Sequence, residues 1–199
     1  MRVIKVEEAT GRRYIVRLED GRTFPIGRKE GKQLELEEGK ELTEEQLEWI
    51  FQELVFPRGR NFLIYLLASK DYTVQEVREK LVKSCYPDEI IEDILCYGVE
   101  RHYLDDLRYA QDYTALHKQS KSIRQIRYLL SRKGISESIL AQLEEENDPE
   151  DLLPKVRRYW EKKKGTNYEK NGKTYQYFVR KGYDSSLIRD LIRMVEEEE

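Results

Sequence analysis

Apolar and polar residues alternate along the first part of the chain: Val3, Ile4 and Val6, then Tyr14, Ile15, Val16 and Leu18, then Thr23, Phe24 and Ile26. A period of two predicts strands. Thr10-Gly11 and Asp20-Gly21 fall between them, and the second is a strong two-residue hairpin signal. The pattern therefore predicts a small antiparallel meander, followed by a turn-rich link containing Gly27, Gly31 and Gly39. So small a sheet needs a partner for its apolar face. It is expected to cap the first helices, with a docking module as the other possibility.

From Leu42 onward the apolar period lengthens to that of a helix. Thr43 and Gln46 predict a capping box, and Leu47, Ile50, Phe51 and Leu54 share one face up to Pro57, giving a linking helix over residues 42–57. Three later helix ends read alike: LVKSCYPDEII from Leu81, LSRKGISESIL from Leu130 and FVRKGYDSSLI from Phe178. With Tyr86, Ile135 and Tyr183 equivalent, the period is 49 residues and then 48. Periods of this size mean stacked helical units.

Each unit reads as three helices. In residues 58–103, Phe62, Leu63, Tyr65, Leu66 and Leu67 lie on the first. Thr73 with Glu76 opens the second, which buries Val77 and Leu81, and the third follows Pro87 and buries Ile90, Ile91, Ile94 and Leu95. In residues 104–147, Asp105 and Asp106 begin the first helix, with Leu107, Ala110 and Tyr113 or Thr114 inside. Ser122 and Gln125 repeat the cap, Ile126 and Leu130 match Val77 and Leu81, Gly134 supplies the left-handed stop, and Ile139, Leu140 and Leu143 line the third helix. Residues 148–199 start at Asp148-Pro149 and place Leu152, Leu153, Val156, Tyr159 and Trp160, then Tyr177 and Phe178 before Gly182, then Leu187, Ile188 and Leu191. The segment KKKGTNYEKNGK from Lys162 is expected to be a mobile loop or a frayed helix end. Cys85 stands where the other units have Gly134 and Gly182. Cysteine tolerates positive φ poorly, so that turn is expected to differ.

The fold expected is thus mainly α: three tandem three-helix repeats in an elongated array, with a small N-terminal antiparallel β module over residues 1–41. Composition agrees, since apolar residues are 39% and charged ones 38%, which favours a thin array over one deep core. Two cysteines and two histidines indicate a reduced, cytoplasmic protein with no metal, no cofactor and no disulfide framework. No signal peptide or membrane span is visible. The four closing glutamates oppose the dipole of their helix and are expected to fray. Nothing in the pattern demands a dimer, and a monomer is expected.

Net charge is −3, but the sum hides a polarity. Residues 1–56 hold 10 bases and 13 acids, 117–134 hold 6 bases and no acid, and 155–182 hold 10 and 2. Lys118, Lys121, Arg124, Arg127, Arg132 and Lys133 form one basic cluster; Arg157, Arg158, Lys162, Lys163, Lys164, Arg180 and Lys181 form another. At helical spacing Lys121, Arg124 and Arg127 cannot share a face with Ile123, Ile126 and Leu130, so they are expected to point outward, free to meet carboxylates or phosphates. Other candidate chemistry is thin. Asp105 and Asp106 could suggest magnesium, yet adjacent acids at a helix start are more often a cap and a dipole partner. Tyr109, Tyr113, Tyr128, Tyr175 and Tyr177 could stack on bases but read as inter-repeat core. Cys85 and Cys96 read as buried apolar fillers, and His102 and His117 have no triad partner. No phosphate loop, nucleophile with a base, or ligand cluster is present, so an enzyme is not expected.

The phrase Tyr103-Leu104-Asp105-Asp106-Leu107-Arg108-Tyr109-Ala110, followed by Arg132-Lys133-Gly134-Ile135, resembles the signature of the RecX family, bacterial regulators of the RecA recombinase. The resemblance covers about residues 58–199, and the N-terminal strands with the stretch ending at Leu42 are similar to an extension in some longer members. Leu107 stands where an acidic residue is common, and Cys85 departs from the glycine. The resemblance implies a non-enzymatic protein that binds the groove of the RecA–DNA filament, lowers RecA ATPase and strand exchange, and favours filament loss. Its contact residues would be the thirteen bases named above, while Asp105, Asp106, Arg108, Tyr109, Ala110, Gly134 and Gly182 would be structural. Single-stranded DNA would be met indirectly or weakly. The alternative is a helical-repeat protein that binds single-stranded or duplex DNA itself. Reversing Arg124, Arg127 and Arg132 to glutamate is expected to abolish inhibition without changing stability.

Overall fold

The computed structural model describes residues 1–143 and 147–197. Strands β1 (Val3–Ala9), β2 (Arg13–Leu18) and β3 (Thr23–Gly27) form an antiparallel sheet in that order. Val6 pairs with Val16 and Val16 with Phe24, so one face gathers Val3, Val16, Leu18, Phe24 and Ile26, all essentially buried. Phe24 meets Phe51 edge to face, with ring centroids 5.3 Å apart. The sheet and the first helices share one hydrophobic core, which is the capping role expected from the sequence. The glycine-rich link is more ordered than its composition indicates, because it holds a short helix, α1 (Arg28–Gln33), folded against β3.

Helix α2 (Glu44–Ile50) starts at the Thr43–Gln46 capping box. It does not stop at Pro57. A π-helical turn over Phe51–Val55 leads directly into α3 (Phe56–Leu67), which carries Pro57 in its first turn. Proline lacks an N–H and crowds the carbonyl four residues back. A wider turn immediately upstream accommodates both effects, so the linking helix and the first repeat helix are continuous. Helices α4 (Val74–Lys83) and α5 (Asp88–Glu100) complete this group, with the Thr73–Glu76 box at the start of α4 and Ile90, Ile91, Ile94 and Leu95 inside. Tyr65 is the exception to the expected face, pointing outward at 75% exposure.

Helices α6 (Asp106–His117), α7 (Ile123–Arg132) and the four-residue α8 (Glu137–Leu140) follow, then α9 (Pro149–Glu161), α10 (Asn167–Arg180) and α11 (Ser185–Glu197). The chain divides into two compact units, Met1–Asp105 and Asp106–Glu199. Within the second, Ala110, Ile123, Ile126, Leu130, Leu140 and Leu143 form one core. Leu152, Val156, Trp160, Phe178, Ile188 and Leu191 contribute to another.

The repeated helix ends close identically. The amides of Tyr86, Ile135 and Tyr183 donate to the carbonyls of Leu81, Leu130 and Phe178, each at 3.2 Å, and the amides of Cys85, Gly134 and Gly182 donate to Val82, Ser131 and Val179 at 2.9–3.0 Å. This is the Schellman pattern, which needs a left-handed residue after the helix. Gly134 and Gly182 have φ of +85° and +86°, and Cys85 has +64°. The Cys85 turn therefore does not differ as expected: six-to-one and five-to-two bonds hold the cysteine in the glycine conformation. The segment from Lys162 is also corrected. Thr166 and Glu169 form a capping box, so α10 starts at Asn167 and is 14 residues long against 10 for α4 and α7. Cys96 is exposed rather than buried. Of the glutamates expected to fray, Glu198 and Glu199 lie outside the described residues.

Candidate functional site

The two basic stretches meet through a serine. Ser122 caps α7 by accepting from the Gln125 amide at 3.2 Å, and its hydroxyl donates to the Lys181 carbonyl at 2.8 Å. One hydroxyl thus satisfies the start of α7 and the end of α10 together. The contact is close: a Cβ on Gly182 would stand 3.0 Å from Ser122 Oγ and 3.7 Å from the Arg124 side chain. Arg124 and Lys181, one from each sequence cluster, are consequently neighbours, and both are exposed.

A third base joins them through aromatic rings. Tyr159 on α9 and Tyr177 on α10 stack with centroids 4.1 Å apart. Lys163 Nζ lies 4.0 Å from the Tyr159 ring and Lys181 Nζ 4.9 Å from the Tyr177 ring. Such contacts hold ammonium groups in place over an apolar surface without neutralising them. Arg124, Lys163 and Lys181 form the junction of the candidate site.

The remaining bases are more scattered. Arg132 is exposed at the far end of α7, about 15 Å from its start at 1.5 Å per residue, and Lys133 lies 5.6 Å from the Tyr109 ring. Lys121 Nζ is 3.2 Å from His117 Nδ1, and burial, then this ammonium, pushes the imidazole pKa down. Lys118 lines a cleft of about 300 Å³ with Asp148, Asp151 and Lys155. Arg158, Lys162, Lys164 and Arg180 are exposed, and Arg157 is half-buried.

Arg127 does not point freely outward. Its Nη2 donates to the Leu143 carbonyl at 3.0 Å, and its Nε is buried without a hydrogen-bond partner among the described residues. It braces α7 against the end of the second three-helix group.

Asp106 opens α6, Ala110 is fully buried, and Tyr109 stacks on Tyr113. Asp105 and Asp106 are half-buried and Arg108 is exposed. Tyr128 departs from the expected core placement and is 60% exposed. Sequence reading missed the Ser122–Lys181 bond, which joins residues 59 positions apart and leaves no local signal. It also missed Thr166-x-x-Glu169, whose capping signature was legible.

A small antiparallel sheet followed by helices in groups of three, with a basic junction in the second unit, defines a three-helix-repeat protein. Two family models match in order: the first three-helix domain of RecX over residues 60–97, and the third three-helix domain of RecX over residues 150–192. The chain is thus similar to the RecX family of regulatory proteins over these two three-helix domains. Among its relatives is the regulatory protein RecX of Clostridium perfringens (strain 13 / Type A), 28% identical over 75% of this chain and 74% of that protein. Another, from Caldanaerobacter subterraneus subsp. tengcongensis, is 25% identical over 97% of this chain and 98% of its own length. Of solved structures, a regulatory protein RecX shares the fold with a TM-score of 0.62 at 24% identity, covering 98% of both chains. RecX from Lactobacillus salivarius does so with a TM-score of 0.65 at 22% identity, over 71% of this chain and 96% of that one. Among the described residues no helix is long and apolar enough to cross a membrane, and no group of three His, Cys, Asp or Glu side chains is placed to hold a metal ion.

Proposed function

We propose that this chain binds the RecA–DNA filament and lowers RecA ATPase, strand exchange and filament persistence, acting as a cytoplasmic, non-enzymatic monomer. The observation that carries the reading is the junction of Arg124, Lys163 and Lys181, which joins both basic stretches on one face of the second unit. A recombinase filament on single-stranded DNA is a long polyanion with protein walls. A preorganised group of bases suits its phosphates and carboxylates and makes association dependent on salt. Residues 58–103, 104–147 and 148–199 serve as the three repeats in this reading, with 1–41 and the helix from 42 bracing the first.

The test measures binding to RecA with and without single-stranded DNA, binding to DNA alone across a salt series, and RecA ATPase. Tight binding to the filament with ATPase inhibition is expected, and weaker binding to bare strands. Equal affinity for bare strands with unchanged ATPase would replace this reading by that of a helical-repeat DNA-binding protein.

A further inference from the structure

The second unit has another surface, separate from the basic junction. Between α10 and α11 runs an open, mainly apolar groove of about 790 Å³, with Tyr168, Gly172 and Tyr175 on one side and Arg189, Ile192 and Arg193 on the other. Counting from the left-handed residue that ends each second helix, the corresponding groove in the first unit lies between α4 and α5. There it is closed. Arg78 makes two hydrogen bonds to the Glu92 carboxylate, one of them at 2.8 Å, and this pairing holds the Arg78 pKa up and the Glu92 pKa down. The equivalent positions in the third repeat are Tyr175 and Arg189, which cannot form that bridge. Gln75 of α4 is replaced by Gly172.

Gly172 is the telling residue. It lies inside a 14-residue helix with ordinary helical φ, where glycine is the poorest former after proline. A Cβ added there would meet nothing within 4 Å. Nothing within the chain needs the missing side chain, whereas an approaching backbone would. The extra first turn of α10, absent from α4 and α7, extends the groove and displays Tyr168 at 88% exposure.

The charges define the occupant. The carboxylates of the lining are already engaged: Glu169 accepts from the Thr166 amide, and Glu196 accepts from Asn171, which in turn accepts from the Trp160 indole at 2.6 Å. Arg189 and Lys173 have no carboxylate partner among the described residues. Among the described residues Arg193 has only Asp190, at 3.8 Å with both side chains about 70% exposed, which is a weak pair. An apolar floor with a cationic rim fits an amphipathic helix whose flanks are acidic. The geometry points to a docking groove between α10 and α11 for an acidic amphipathic helix of a partner protein, laid close over Gly172 with its carboxylates on Lys173, Arg189 and Arg193. The carboxylate that Glu92 supplies internally in the first unit is supplied from outside in the third.

The test uses the full chain and three fluorescein-labelled probes read by anisotropy: an 18-residue amphipathic peptide with leucines on one face and glutamates elsewhere, the same peptide with lysines for glutamates, and an 18-nucleotide oligothymidylate. Binding of the acidic peptide at least tenfold tighter than the basic one is expected. Gly172→Leu, which fills the floor, should weaken it at least tenfold while melting no lower than the parent. The double variant Arg189→Glu, Arg193→Glu should reverse the preference between the two peptides. No preference for the acidic peptide, or binding that Gly172→Leu leaves intact, would overturn the proposal. So would oligothymidylate binding that Gly172→Leu abolishes, since this assigns the groove to nucleic acid. No RecA enters the measurement, so its result is independent of the filament reading.

Discussion

At the scale of single residues, the three equivalent turns isolate the cost of a side chain in the left-handed conformation. A Cβ there is opposed by about 1–2 kcal/mol, so Cys85→Gly should stabilise the first unit by about 1 kcal/mol, seen as a higher urea midpoint with an unchanged slope. Thr174 poses a different problem. It occupies the position of Val77 and Ile126, eight residues before the left-handed residue, and is fully buried with a hydroxyl that has no hydrogen-bond partner among the described residues. An unsatisfied buried hydroxyl costs on the order of 1–3 kcal/mol. Thr174→Val should therefore stabilise, by about 1 kcal/mol, and a lower melting temperature would show that the hydroxyl has a partner in solution. Tyr86 is a third case: burial pushes its phenol up to about 12, against the pull of Arg58 and Arg13. The folded state holds this proton more tightly than the unfolded state. Stability is therefore complete below pH 10 and falls as pH rises towards 12, by roughly 2–3 kcal/mol at full ionisation of the unfolded chain. Urea midpoints at pH 9 and pH 11.5 should diverge for the parent and much less for Tyr86→Phe.

At the scale of elements, the fold was largely legible because its signals are local. Strand alternation, the Thr43 and Thr73 capping boxes, and the apolar faces of α5, α9 and α11 depend on residues a few positions apart. What escaped had another origin. Pro57 reads as a helix stop, but the π-helical turn that carries the helix through it answers to packing of Phe51 and Val55 in the core. The Cys85 turn was misjudged because backbone bonds common to all three helix ends outweigh one residue's preference. In the candidate site, the bases were legible as composition while their grouping was not. Arg127 is indistinguishable from Arg124 in sequence, yet one donates to the Leu143 carbonyl and the other lies beside Gly182. Ser122 shows how an element end becomes part of a site. Ser122→Ala removes a helix cap and the donor to Lys181 together, so it should cost about 1–2 kcal/mol. It should also weaken filament inhibition more than Ser136→Ala, whose side chain makes no cap bond at α8.

At the scale of the whole molecule, charge is divided unevenly: residues 1–105 hold 17 bases and 22 acids, and residues 106–199 hold 19 and 17. The excess of base in the second unit is concentrated further, because its acids cluster outside the stretches 117–134 and 155–182. If this field brings the chain to a polyanionic filament, its effect depends on exposed bases and not on every base in the sequence. Reversal of Arg124, Arg127 and Arg132 together would mix two consequences, since Arg127→Glu sets a carboxylate against the Leu143 carbonyl in a half-buried site. The informative set is Arg124→Glu, Arg132→Glu and Lys181→Glu, all at exposed positions. This triple variant should keep the parent's circular dichroism and melt within a few degrees of it. It should lose RecA ATPase inhibition, and the salt dependence of filament binding should become shallower by up to one unit of slope for each phosphate contact removed. Arg127→Glu alone should instead lower the melting temperature. Full inhibition by the triple variant with unchanged salt dependence would remove this face from the mechanism and leave the α10–α11 groove as the surface to pursue.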